Sequence, residues 1–293
     1  ARLKMPLVDL RRQIDASSIH SSCVIEGNKL TLDQATEVIN GKRVIGPEKD
    51  ILEIKNAHLL YEKLQDFDPY KEKDLLKAHG ILMKGLVSRA GQYRQRGMVV
   101  RSQETVIHSA PPYQKVPQLM GDLFEFVQGA GDLHPLITSS IFHYEFEFIH
   151  PFEDGNGRTG RFWQTLILRK AQGCFNLVPI ESAVKDHQAE YYDAIARSSK
   201  EGKSTVFIEF MLSVILEAVQ GLEKLVSKRA KPQDRIAFLM KHGPKEFPRK
   251  EYMQLVGDMA EHTASRDLKE AVNQGLLAML GTRARAVYKK IQP

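Results

Sequence analysis

His150-Pro151-Phe152-Glu153-Asp154-Gly155-Asn156-Gly157-Arg158-Thr159-Gly160-Arg161 is the stretch that decides how this 293-residue chain is read. It sets a candidate base, a candidate metal ligand, a glycine-rich turn and two arginines within one short run. A glycine on each side of Asn156 lets backbone amides turn inward, and a helix starting near Gly157 adds its unpaired first-turn amides to the same anion-binding concavity. Arg158 and Arg161, three residues apart, share one face of that helix. An aliphatic hydroxyl is a weak nucleophile at neutral pH. Its attack on a phosphate needs a base in reach, and histidine as a residue type titrates in the useful range, which makes His150 the candidate. Asp154 as a cation ligand, the amides of Gly155 to Gly157, and the guanidinium groups of Arg158 and Arg161 suit a phosphorylated substrate whose charge must be neutralised.

Outward from the motif, His134 to Phe148 and Arg158 to Lys170 read as two helices, with Pro151 marking the break between them. His143, one heptad before His150, is a helix-packing residue in this reading. Leu75, Leu76, His79, Leu82, Met83 and Leu86 recur at helical spacing, and most segments before residue 230 follow the same pattern. Between Gly91 and Pro112 the texture changes. Met98-Val99-Val100 and Thr105-Val106-Ile107 are β-prone runs around Ser102-Gln103-Glu104, the signature of a hairpin.

Every defined position of residues 150 to 161 agrees with the signature H-x-F-x-[DE]-G-N-G-R-x-x-R, so the chain resembles the Fic-domain enzymes, which commonly move AMP from ATP onto a protein hydroxyl. The resemblance implies a mostly α fold, a helical Fic core with a small β-hairpin flap. It gives His150 the proton of the target hydroxyl and Asp154 the Mg²⁺. It assigns Gly155, Asn156 and Gly157 to cradling the α- and β-phosphates, with Arg158 beside them and Arg161 on the γ-phosphate. Phe152 becomes a core anchor. The hairpin residues Thr105, Val106, Ile107 and His108 become a flap that aligns the target by main-chain pairing. Tyr191 and Tyr192 fall where related enzymes often place tyrosines beside the adenine, although Ser199 stands where relatives often carry Asn.

Ser22-Cys23-Val24-Ile25-Glu26-Gly27 agrees with a second Fic signature, [ST]-x-x-x-E-[GN], found on an inhibitory helix. The resemblance implies that Ser22, Glu26 and Gly27 form a brake in which Glu26 occupies Arg161 in place of the γ-phosphate.

Ser227 to Arg235 is a polar break taken as a domain boundary. The expected organisation is 1–70, an N-terminal helical region with the inhibitory motif; 71–228, the catalytic core; and 232–293, a third domain. In the last, Asp234 to His242, Arg249 to Gly257 and Thr263 to Gln274 look helical. Leu276 to Leu280 and Ala286 to Tyr288 look like strands around a basic turn, an order resembling a winged helix-turn-helix. From residue 231 onward there are 12 Lys and Arg against 7 Asp and Glu, so most of the formal charge of +6 lies at this end. Such a module serves DNA binding, with Arg266, Arg283 and Arg285 as the contacts, or protein docking or homodimerisation.

Composition is that of an ordinary soluble protein, 42% hydrophobic. Two cysteines, Cys23 and Cys174, give no disulfide framework, and no Cys/His cluster has zinc-ligand spacing. Ala1 to Ser18 lacks the apolar centre of a secretory signal. Phe207 to Val219, the most apolar stretch, is cut by Glu209 and Glu217, so no membrane span and a cytoplasmic location are expected. The expected activity is adenylyl transfer from ATP, with Mg²⁺, to a Ser, Thr or Tyr hydroxyl of a protein, the chain itself included. The alternatives are removal of AMP, another Fic-type nucleotidyl or phosphoryl transfer, or a DNA-binding regulator with a nucleotide-sensing pocket.

Overall fold

The computed structural model describes residues 4–102, 105–229, 232–256, 259–281 and 286–291. The chain forms two compact units, Ala1–Ala218 and Val219–Pro293.

The first unit is built around two consecutive helices, α6 (Pro135–Ile149) and α7 (Asn156–Ala171), which bracket the motif loop. Helix α6 starts on His134, whose ring accepts the Leu136 amide, and Pro135 occupies the first turn, where its missing N–H costs nothing. It stops at His150, which adopts φ +49°, followed by Pro151, which cannot continue the ladder. Helix α7 begins after Gly155, at φ +84°. Nearly every residue of α7 is buried, Trp163 and Phe162 included, as in a helix enclosed on all sides. Phe142, Phe146, Phe152, Phe162 and Trp163 form the centre of the core, joined by Ile54, Leu75, Met120 and Phe124 from the surrounding helices.

Around this pair lie α1 (Lys4–Ile25), α2 (Leu32–Ile39), α3 (Glu48–Glu62), α4 (Glu72–Leu82) and α5 (Val116–Gly129). Beyond α7 come α8 (Ile180–Asp186), α9 (Gln188–Glu201) and α10 (Thr205–Arg229). Thr31 starts α2 with a reciprocal capping box to Gln34. The apolar periodicity from Leu75 onward outlasts its helix: α4 ends at Leu82, and Gly85 turns the chain at φ +74°. Met83 and Leu86 therefore pack into the core from outside α4.

The expected hairpin is present as β1 (Val99–Ser102) and β2 (Thr105–Ser109), antiparallel, with a register irregularity between Val100 and Arg101. Its tip, residues 103–104, lies outside the described residues. Strand β2 lies against α9.

The apolar stretch of α10 is longer than the sequence reading allowed. Thr205–Glu223, within α10, is long and apolar enough to cross a membrane by length and composition, with mean hydropathy 1.7 in an 18-residue window. The two glutamates do not offset so many Leu, Ile, Val, Phe and Met neighbours. One stripe of this helix, Phe207, Met211, Val214, Ile215 and Ala218, is buried.

The second unit holds α11 (Pro232–His242), β3 (Glu246–Pro248), α12 (Arg249–Val256), α13 (Glu261–Asn273), β4 (Leu277–Leu280) and β5 (Val287–Lys290). Its antiparallel sheet has the order β3-β5-β4. Strand β3 was not anticipated; three residues ending in proline carry no alternation to read. Phe247, Tyr252, Leu268, Leu277 and Tyr288 form the core, with Asp267 buried beneath them and paired to Arg235 at 2.6 Å. Arg266 is exposed on α13, whereas Arg283 and Arg285 lie outside the described residues.

Candidate active site

The motif loop, residues 150 to 155, is held mainly by side chains bonding to its backbone. Asn156 closes it at the base: its Oδ1 accepts the Phe152 amide and its Nδ2 donates to the Phe152 carbonyl, both at 2.9 Å. With both ends of the side chain engaged, what Asn156 offers an anion is its own main-chain N–H at the start of α7. Arg94, almost fully buried, fastens the loop from the other side. Its Nε donates to the His150 carbonyl at 2.8 Å, Nη1 to Arg96 O, and Nη2 to Pro111 O and Ile149 O, while its amide donates to Pro151 O. One guanidinium thus ties the motif to the segment leaving the hairpin.

His79 is a third fastener. Its ring stacks on Phe152 at 3.6 Å between centroids, its Nδ1 accepts the Gly91 amide, and its Nε2–H therefore donates to Asp154 O at 2.9 Å. This arrangement needs a neutral ring, and burial pushes its pKa down to about 4. Nothing in the sequence marks His79 as part of the site, because it sits within an apolar periodic run. His143 is buried, as its heptad spacing implied. It donates from Nδ1 to Gln164 at 2.6 Å and accepts the Tyr191 hydroxyl at Nε2, and burial lowers its pKa to about 3.

The loop thus displays His150 at the end of α6, the sole non-glycine residue at positive φ among the described residues. Such a conformation persists only where its surroundings impose it, as the bonds to its carbonyl do here. Asp154 is about half exposed, with Oδ1 accepting the Gly155 amide at 2.6 Å and meeting Arg158 Nη2 at 3.3 Å. Arg158 Nη1 pairs with Glu53 of α3 at 2.9 Å, and Glu53 also takes a hydrogen bond from Asn28. Glu53 and Asn28 carry no motif spacing, and sequence reasoning missed both.

Arg161 is 2% exposed and faces the end of α1. Its Nε donates to Ser22 Oγ at 3.1 Å and its Nη2 to Ser22 O at 2.9 Å and to Glu26 Oε1 at 2.8 Å. Burial works against its charge, but the Glu26 carboxylate together with the Tyr191 and Tyr192 hydroxyls holds its pKa above the ordinary value. Glu26 also lies against the glycine turn, where a Cβ at Gly157 would collide with its carboxylate. Gly27, at φ +92°, turns the chain away after α1.

The tyrosines of α9 separate. Tyr191 is fully buried among Phe207, Phe210 and His143, while Tyr192 is part-exposed and its hydroxyl donates to Ile25 O at 3.2 Å. Of Thr105, Val106 and His108, the backbone pairs with β1; Ile107 falls in the irregular step of the register.

Whether MgATP suits these residues can be tested on three features. Arg161 Nη1 is buried without a hydrogen-bond partner among the described residues and points at the space over Gly157. That space holds a carboxylate now, so an anion fits there. Asp154 stands alone, since no cluster of three His, Cys, Asp or Glu among the described residues could hold a metal. Mg²⁺ bound through one carboxylate plus substrate phosphates matches such a donor set.

A histidine, a single carboxylate and a helix start that faces an anion lie together, and residues 69–168 match the model of the Fic/DOC family. The chain is similar to a Fic family protein from Desulfovibrio desulfuricans G20, with 39% identity and a TM-score of 0.71 over 97% of this chain and 88% of that one. It belongs to the Fic family. Among curated relatives, it is 28% identical over 204 residues to the protein adenylyltransferase Fic of Nematostella vectensis, covering 66% of this chain and 45% of that protein. It is 29% identical over 209 residues to the protein adenylyltransferase Fic of Drosophila grimshawi, covering 66% and 40%. The chain thus spans less than half the length of these curated relatives.

Proposed function

We propose that the chain is a protein adenylyltransferase that transfers AMP from MgATP to a Ser, Thr or Tyr hydroxyl and is held inactive by Glu26. The observation that carries this reading is the position of Glu26, bonded to Arg161 at the mouth of the α7 amide turn. An anion bound at a helix start beside a buried guanidinium is stabilised by both, so a phosphate and Glu26 compete for one place.

In this reading His150 removes the hydroxyl proton as the oxygen attacks the α-phosphorus. The amides of Gly155 to Arg158 hold the phosphate oxygens in line, and Arg161, once released by Glu26, takes the terminal phosphate. Asp154 would hold the cation, which when bound would offset the charge of the leaving pyrophosphate. The open edge of β2 lines up the target segment as an added strand. We read the second unit as a winged helix, on the order of its helices and antiparallel strands.

Incubation with MgATP, followed by intact-mass and peptide mass spectrometry, tests the donor, the added group and the target together. Glu26→Gly should raise AMP incorporation, self-labelling included, and His150→Ala should abolish it while ATP still binds. An unchanged or lower rate in a folded Glu26→Gly protein would overturn the brake. An added phosphate, or loss of AMP from a pre-modified protein, would replace adenylyl transfer with one of the other Fic-type reactions.

A further inference from the structure

Glu147 lies on α6 one turn before His150, with 6% of its surface exposed. Its Oε2 is 4.0 Å from His150 Nδ1, about 1 Å longer than a charge-assisted hydrogen bond. Its Oε1 is 3.9 Å from His143 Nε2, but that nitrogen already accepts the Tyr191 hydroxyl and has no proton to give. Oε1 is consequently left without a hydrogen-bond partner among the described residues. Gly160 makes room for it, since a Cβ there would come within 3.0 Å of Oε1. A buried carboxyl oxygen without a partner is costly, and an apolar side chain in this aromatic-lined position would cost less.

We propose that Glu147 is a positioning residue for the base: its carboxylate accepts the Nδ1 proton of His150, so that Nε2 faces the target hydroxyl ready to take a proton. The inference rests on His150 being the base. In the transfer step the hydroxyl proton goes to Nε2, the oxygen pair forms the bond to the α-phosphorus, and the bond to the bridging oxygen breaks as pyrophosphate leaves. Glu147 gains no proton; its negative charge stabilises the imidazolium and fixes the tautomer.

The groups facing Glu147 also connect it to the brake. They are His143 and His150 on α6 and its cap, Arg161 on α7, Glu26 after α1, and Tyr191 and Tyr192 on α9. Burial first, and then the Glu26 charge, push the Glu147 pKa up to about 8, against the pull of Arg161. With Glu26 in place the carboxyl is mostly protonated at neutral pH and cannot accept from His150. Departure of Glu26 removes a like charge and favours the carboxylate. The brake thus acts on the base as well as on Arg161.

The test uses the full chain carrying Glu26→Gly, with self-labelling by MgATP measured from pH 6 to 9 and ATP binding measured separately. Glu147→Gln should lower the rate roughly 10- to 100-fold and flatten its rise with pH, with ATP affinity unchanged. Glu147→Asp should recover part of the rate, and restoring Glu26 should move the rise to higher pH. In ¹⁵N-histidine NMR spectra, Glu147→Gln should lower the His150 pKa by roughly one unit. If His150→Ala is inactive but Glu147→Gln keeps the parent rate, pH profile and His150 titration, the positioning role is overturned and the base stands. An equal loss at every pH with weakened ATP binding makes Glu147 merely structural and overturns the inference too. If His150→Ala still transfers AMP, the base reading itself fails.

Discussion

The loop carrying His150 and the segment carrying Glu26 meet across Arg161, yet they are held in opposite ways. The loop is fixed by side chains that bond to its backbone: Asn156 on Phe152, His79 on Asp154, and Arg94 on His150 and Ile149. Glu26 reaches its place through one carboxylate contact to Arg161 on a side chain about a quarter exposed. The loop's fasteners are several almost fully buried side chains whose bonds must break together, whereas a partly exposed carboxylate leaves by turning two or three torsions. On the proposed reading, the difference teaches where this site would change state: the motif loop is built to stay, and the anion in its mouth would be the part that exchanges.

Arg94→Ala tests the fixed half and should have the largest effect. It strips four side-chain hydrogen bonds from backbone carbonyls at once, each worth about 1.5–3 kcal/mol when the donor is charged. A loss of about 5 kcal/mol or more is expected in denaturant unfolding, with transfer activity gone. A melting temperature near that of the parent would mean that the loop does not depend on this guanidinium.

Titration separates the two halves next. Burial and the Glu26 charge raise the Glu147 pKa to about 8 from an ordinary 4.5, so the folded state loses stability as pH rises through that window. His79 and His143, lowered from 6.5 to about 4 and about 3, have the opposite sign: their contribution is full above 6.5 and is lost as pH falls. Glu147→Gln should therefore gain stability over the parent between pH 5 and 8, by a few kcal/mol at most, and gain little below pH 5. Urea midpoints across that range measure it; a constant difference at all pH values would deny the raised pKa.

Gly155→Ala should cost about 1–3 kcal/mol, because φ +84° is unfavourable for alanine and the new methyl meets Met83. The effect belongs to the loop, so Glu26→Gly in the same protein should not restore activity.

The uneven legibility of the sequence has the same origin. The twelve-residue run and the Ser22 to Glu26 spacing are local patterns, and a local pattern can be read. The hairpin at 99–109 was legible from β-branched residues on either side of a polar turn, and the helices flanking the motif from apolar spacing and Pro151. Arg94, His79, Glu53 and Glu147 act through partners 3 to 105 residues away, and only folding brings them to the site. Each has an ordinary disguise: His79 sits in an apolar stripe, and Arg94 sits in a polar connection between elements. Tyr191 shows the reverse, a residue that position suggests for the nucleotide and that the core buries beside His143.

The smallest predicted effect bears most directly on how the brake lets go. At mid-length α1 is fastened to α8 by Ser182 Oγ, which meets Ser17 Oγ at 2.9 Å and Ser21 Oγ at 3.2 Å. Ser182→Ala removes both and should cost about 1 kcal/mol. If the whole helix had to lift for Glu26 to leave, loosening its middle would release the brake, and labelling would climb toward the Glu26→Gly rate. The end of α1 has fasteners of its own, however: Ile25 O accepts Gln188 and Tyr192, and Asn28 bonds to Asp50 and Glu53. These hold the backbone of residues 25 to 28 whatever happens at Ser182. Labelling by Ser182→Ala should stay within about twofold of the parent, since a 1 kcal/mol loss shared along a well-fastened helix leaves little at Glu26. A rise of tenfold or more would move the hinge of the switch from the Glu26 side chain to the helix that carries it.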